Sequence, residues 1–206
     1  MLAVLRIAQK RWKSLLGIVG LILFVLFLWA WASSPDYIPP PISEEIFEER
    51  AVDFSLFVYQ GEEIVGASDL TFFQMLDLGK PVVLNFWGGM CPPCREEMPD
   101  FQKIHDEYQD RIILFAMDVG PFTQFGTRQD AKELLEELKI TFPAGSTGEP
   151  KVTEHYKVIT MPTTVFVKPD REIFRTWNGV INHGELKEIV EELIGDSTLI
   201  DGGEGM

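Results

Sequence analysis

Pro81-Val82-Val83-Leu84-Asn85-Phe86-Trp87-Gly88-Gly89-Met90-Cys91-Pro92-Pro93-Cys94-Arg95-Glu96-Glu97-Met98 is the stretch from which the rest of the chain can be read. Its first seven residues are β-branched or bulky and predict a buried strand. After the glycines the pattern turns helical, with Glu97, Met98, Phe101, Ile104, His105 and Tyr108 at helical spacings. A strand therefore delivers Cys-x-x-Cys to the first turn of a helix. These are the only two cysteines in the chain. At i and i+3 they share one side of a turn, so their sulfurs can close a small ring. Cys91 is expected at the helix N-terminus, where free amides and the helix dipole favour an anion and lower a thiol pKa. On that reading Cys91 is an exposed nucleophile, and Cys94, one turn deeper, resolves the mixed disulfide. Pro92 and Pro93 suit a first helical turn and remove two N–H donors from the neighbourhood of the Cys91 sulfur.

Other readings of the pair compete. Half a zinc site would need ligands from elsewhere. There is no second cysteine pair, and His105, His155 and His183 are scattered singly, so no metal is expected. A purely structural disulfide is a second alternative. A Cu(I) carrier is a third, because thiolates with a thioether such as Met90 or Met98 suit that ion.

Toward the N-terminus, residues 15–32 (LLGIVGLILFVLFLWAWA) carry no charge. As a helix they would extend about 27 Å, close to the ~30 Å hydrocarbon core of a bilayer. Arg6, Lys10, Arg11 and Lys13 precede the segment and Asp36 follows it. The positive-inside rule then keeps residues 1–14 cytoplasmic and exports the rest. A transmembrane anchor is the favoured reading; the rival is a signal peptide cleaved after Ala30-Trp31-Ala32. Both place the body outside the cytoplasm, where disulfides persist. Residues 33–51 read as a tether, stiffened by Pro35, Pro39, Pro40 and Pro41 and solvated by glutamates. The net charge is −14, and because residues 1–34 hold four bases and no acid, the exported part is four charges more acidic still. That argues against a nucleic-acid partner.

A single domain is expected over 52–195. Strands are predicted at Phe54–Tyr59, Arg111–Met117, Thr163–Lys168 and Ile173–Trp177, the last two as an antiparallel hairpin. A further short strand is read at Phe142–Ala144. Ile64-Val65 is read as a hairpin return. Ser68 is read as the N-cap of a helix ending at Gly79. Further helices are predicted over 129–138, 149–156 and 184–194, with 120–126 as loop and 196–206 as a flexible tail. Pro99 is expected to kink its helix without ending it. The order β-α-β-α-hairpin-α implies a parallel βαβ unit with a right-handed crossover and a mixed sheet.

With these elements in place the chain resembles the thioredoxin superfamily. More narrowly it is similar to the membrane-anchored TlpA/ResA/DsbE-type thiol–disulfide oxidoreductases. The residues that carry the likeness are Phe54-Ser55-Leu56, Ser68-Asp69-Leu70, Val82 to Trp87, Cys91-Pro92-Pro93-Cys94-Arg95-Glu96-Glu97-Met98-Pro99, Phe142-Pro143 and Met161-Pro162-Thr163-Thr164-Val165-Phe166. The resemblance implies a three-layer α/β/α fold with a mixed central sheet, preceded by one transmembrane helix. It implies a redox-active Cys91–Cys94 disulfide and no other cofactor. It makes Pro162 a cis-proline that presents the Met161 backbone to substrate, and Glu97 a carboxyl that tunes the thiols. Trp87, Met90, Met161, Pro92 and Pro93 would flank the bound substrate. Its implied partners are disulfide-bonded proteins, including apocytochrome c, and a membrane thiol carrier that supplies electrons. Two departures stand out. Asn85 replaces the buried aspartate of cytoplasmic thioredoxins, which shifts weight to Glu97. Met90 replaces a tryptophan common before the first cysteine, which alters the docking surface. Thiol peroxidase chemistry is a further alternative.

Overall fold

The computed structural model describes residues 21–29 and 49–201. The chain divides into two units, Met1–Phe47 and Glu48–Met206. In the first, residues 21–29 are helical (α1). The remainder of the 15–32 segment, the basic N-terminus, the tether as far as residue 48 and the tail from residue 202 lie outside the described residues. Among the described residues, no helix is long and apolar enough to cross a membrane.

The second unit runs β1 (Ser55–Gln60), α2 (Glu62–Val65), β2 (Asp69–Thr71), α3 (Phe72–Leu76), β3 (Val82–Trp87), α4 (Pro92–Tyr108), β4 (Ile113–Asp118), α5 (Gly120–Thr123), α6 (Arg128–Glu137), β5 (Ala144–Ser146), α7 (Val152–His155), β6 (Thr163–Val167), β7 (Ile173–Asn178) and α8 (His183–Asp201). The strands form one sheet in the order β2-β1-β5-β4-β3-β6-β7. β3 pairs parallel with β4 and antiparallel with β6, so the sheet is mixed and β3 lies inside it. Every residue of β3 and β4 is buried, as expected for strands covered on both faces.

Strand alternation sorts the core into two layers. Val83, Leu114, Ala116 and Phe166 face one way, against Met98 and Phe101 of α4, Leu134 of α6 and Ile189 of α8. Val82, Leu84, Phe115, Met117 and Val165 face the other, against Phe72 and Met75 of α3 and Val152 of α7. Helices on both faces make the unit three-layered. The expected α/β pattern, a parallel βαβ with a closing hairpin, is what the chain adopts.

Several local expectations give way to tertiary contacts. Ser68 caps no helix: its carbonyl accepts the Val58 amide, and residues 69–71 pair with β1, Leu56 opposite Leu70. Thr71 is the N-cap instead, in a capping box with Gln74. Both residues have capping side chains, and burial of Leu70 against β1 decides between them. Ile64 and Val65 lie in the helical turn α2 and do not form a hairpin return. Gly61 (φ 77°) precedes that turn with its Cα pressed on Pro143, where a Cβ would come within 2.7 Å, and Gly66 (φ 93°) closes it. Residues 120–123 of the expected loop form the short helix α5. α4 runs through Pro99 to Tyr108, and α8 continues past residue 195 to Asp201.

Candidate active site

β3 ends at Trp87, and Gly88-Gly89-Met90 carries the chain to the start of α4. The two glycines are needed because two other segments press on them. A Cβ on Gly88 would come within 2.7 Å of Phe125, and one on Gly89 within 2.3 Å of the Ala131 amide nitrogen. Gly89→Ala is therefore expected to push α6 off the motif. The obstruction is backbone and cannot rotate away, so a cost of about 1–3 kcal/mol is expected, read as a lower denaturation midpoint.

Cys91 is the N-cap of α4, and its Sγ accepts the Cys94 amide at 3.3 Å. The first two helical positions are prolines, so Cys94 carries the first amide able to reach that sulfur. The sulfurs of Cys91 and Cys94 are bonded at 2.04 Å. The expectation of an exposed Cys91 is corrected: it is 1% exposed in this oxidised state, and Cys94 is fully buried. Both sit in the apolar cluster of α4 and β3 with Trp87 and Met98. Met90, 65% exposed, is the large apolar side chain that the motif presents to solvent.

Glu97 follows Cys94 by three residues, on the same side of α4. Its neighbour Glu96 is solvated, whereas Glu97 is buried. One carboxyl oxygen accepts Asn85 Nδ2 at 2.8 Å and the other the Ile181 amide at 3.2 Å. Asn85 Nδ2 also donates to Thr164 Oγ1 at 3.1 Å. Burial pushes the Glu97 carboxyl up to about 8, against the two hydrogen bonds, which favour the charged form. At neutral pH it is mainly a neutral acid beside the cysteine pair, able to give up and regain a proton.

The Met161–Pro162 peptide bond is cis. Phe86 pairs with Thr163, so continuing the register by one residue sets Pro162 opposite Trp87, at the strand end from which Cys91 follows. Met161 is half-buried beside it, and Pro92 is exposed. Pro93 is half-buried. Trp87 departs from expectation: it is wholly buried and its indole N–H has no partner among the described residues, so it supports the motif from inside.

A second buried carboxyl, Asp118, was not among the expected site residues. It ends β4 in register with Trp87 on one side and Ser146 on the other. Its oxygens accept the Gly120 amide at 2.9 Å and the Tyr59 hydroxyl at 3.0 Å. Burial pushes it up to about 6. In sequence, an aspartate closing an apolar run reads as the start of a turn. Parity along the strand was the usable signal, because residues 114, 116 and 118 share the face that carries α4. Beside Met90, a cleft of about 700 Å³ is walled by Gly120, Pro121, Gln124, Arg128 and Gln129.

Residues 47–175 match the AhpC/TSA family. The chain is 32% identical over 149 residues to the thiol-disulfide oxidoreductase ResA of Oceanobacillus iheyensis, covering 70% of this chain and 71% of that one. It is 30% identical over 115 residues to the sporulation thiol-disulfide oxidoreductase A of Bacillus subtilis, covering 55% and 68%. Among solved structures, StoA from Bacillus subtilis matches with a TM-score of 0.53 at 24% identity, over 66% of this chain and 95% of that one. A putative thiol:disulfide interchange protein DsbE from Chlorobium tepidum matches with a TM-score of 0.57 at 20% identity, over 71% and 96%. These two likenesses show a thioredoxin-like α/β fold. With its fold, its family match and its relatives in agreement, the chain belongs to the AhpC/TSA family, among the thioredoxin-like thiol–disulfide oxidoreductases.

Proposed function

We propose that this protein is a membrane-tethered reductant of protein disulfides outside the cytoplasm, working through Cys91 and Cys94. The observation that carries this reading is the bonded cysteine pair at the start of α4 with the buried Glu97 one turn on. In the reduced protein, the Cys91 thiolate attacks one sulfur of a substrate disulfide. A mixed disulfide forms and the first substrate thiolate leaves. Cys94 gives its proton to Glu97 in its ionised form, the minor one at neutral pH, and attacks the Cys91 sulfur, releasing the second substrate thiolate. The substrate gains two electrons and, with the protons from the two cysteines, two thiols; the protein is left with the disulfide. Met90, Met161, Pro92 and Pro93 flank the substrate chain, and Pro162 presents the Met161 backbone to it.

The uncharged segment 15–32 with its basic flank supports the tether and the exported orientation. The names of the relatives support the reaction class. Haem-site cysteines of apocytochrome c are the proposed substrate, and a membrane thiol carrier the proposed electron source. No cofactor beyond the cysteine pair takes part.

The reduction potential decides the direction. A value near that of thioredoxin, about −270 mV, is expected, whereas one near −120 mV would make the protein an oxidant. Reduced protein is also expected to reduce insulin and an oxidised apocytochrome peptide. Inertness toward both, with stoichiometric Cu(I) binding or peroxide consumption instead, overturns the reading.

A further inference from the structure

Asp118 is a charged side chain that the exchange steps above leave without a task, yet it is tied to the redox motif by a continuous path. Its Oδ1 accepts the Gly120 amide at 2.9 Å. The Gly120 carbonyl accepts the Phe125 amide at 3.1 Å. The Phe125 carbonyl accepts the Met90 amide at 2.8 Å. Cys91 follows directly. The path has no slack: a Cβ on Gly120 would meet Phe125 O at 2.9 Å and Asp118 Oδ1 at 3.0 Å, and Phe125 is packed on Gly88. The strand end is held as well, since the Val119 amide donates to the Trp87 carbonyl at 2.9 Å.

We propose that Asp118 is a positioning residue for thiol–disulfide exchange: it holds residues 120–125 against the Met90 backbone, and its charge sets how readily Cys91 ionises. The inference rests on the reading of Cys91 as the attacking thiol. Asp118 lies on the α4 face of the sheet, the face that carries both cysteines. The groups that face it are the Tyr59 hydroxyl from β1, Arg128 and Asp130 from α6, and, across the sheet, Trp87 from β3 and Ser146 from β5. Lys132 of α6 lies over the Tyr59 ring, 4.9 Å from its centroid. Arg128 opposes the carboxylate charge and Asp130 adds to it, so the carboxylate is only partly neutralised. Burial raises its titration to about 6, inside the range where the protein would work. Above that pH the carboxylate is a like charge to a Cys91 thiolate and disfavours it; below that pH it is neutral and the opposition is gone.

Asp118→Asn separates the two tasks. The amide oxygen still accepts the Gly120 N–H, but the group no longer titrates. The test is the rate of iodoacetamide alkylation of Cys91 in the reduced full-length protein between pH 5 and 8. The Asp118→Asn variant is expected to match wild type at pH 5 and to react roughly threefold faster at pH 7, where wild type carries the opposing charge. Asp118→Ala is expected to speed amide hydrogen exchange at Gly120 and Met90, because it removes the anchor. Superimposable alkylation profiles for wild type and Asp118→Asn, with unchanged exchange at Met90 in Asp118→Ala, overturn the inference. Alkylation reports on Cys91 whether or not the protein reduces other proteins. A variant-to-wild-type alkylation ratio that rises with pH, in a protein that leaves protein disulfides intact, removes the functional reading and leaves this one standing.

Discussion

Cys91→Ser is expected to bring disulfide exchange down to background, and Cys94→Ser to give a protein that reacts once and stops. The asymmetry follows from where the helix begins. Cys91 is the N-cap, with the Cys94 amide directed at its sulfur and the dipole of a 17-residue helix behind it. A serine hydroxyl in that place cannot form the covalent intermediate, so nothing is captured. Cys94 lies inside the first turn and is fully buried. Replacing it leaves the attacking sulfur intact and removes only the thiol that would release the substrate. Mass spectrometry after incubation with a disulfide peptide should therefore show a stable adduct on Cys94→Ser and none on Cys91→Ser. The reverse pattern would exchange the two roles.

Glu97→Gln is expected to change both stability and reactivity with pH. The folded oxidised protein raises this carboxyl from an ordinary 4.5 to about 8, so the native state holds its proton more tightly than the unfolded chain does. Stability rises with pH where the unfolded state binds more protons; here the native state binds more, so the sign is negative. The contribution is fully present below about pH 4.5 and is lost as pH climbs through 8, with a slope of at most about 1.4 kcal/mol per pH unit. Glutamine does not titrate. The unfolding free energies of wild type and Glu97→Gln should therefore diverge from pH 5 to pH 8 in favour of the variant, then run parallel. Denaturant titrations at fixed pH values measure this, and parallel curves throughout would mean that Glu97 is not held neutral. In the reduced protein, resolution by Cys94 should slow in the variant, because the proton acceptor is gone.

The sequence was most legible where one local signal had no competitor. The run Val82–Trp87 is apolar on both faces, and only a strand covered by helices satisfies that. The prolines after Cys91 left only one place for α4 to begin. Legibility failed where two signals were equally good locally, as with Ser68 and Thr71, and a distant partner chose between them. It also failed for the tight turns, where Gly61 against Pro143 is a contact across the sheet that no local pattern contains. In the site, Cys91, Cys94, Glu97 and Pro162 were nameable because motif and spacing marked them. Asp118 was not, since its importance comes from three hydrogen bonds through a segment that reads as an ordinary loop. Cys91 was expected to be exposed as the attacking thiol, and the apolar packing of α4 against β3 reverses that in the oxidised state.

The burial of both sulfurs has a consequence for selectivity. A free thiol of low molecular weight finds no sulfur to strike and must wait for a spontaneous fluctuation that uncovers one. A polypeptide docked as proposed, against Met90 and Met161, would stabilise that uncovered arrangement as it binds. Discrimination between cellular partners and bystander thiols would then be kinetic, set by who can pry the entrance ajar, and two reductants of equal potential would turn the protein over at very different speeds.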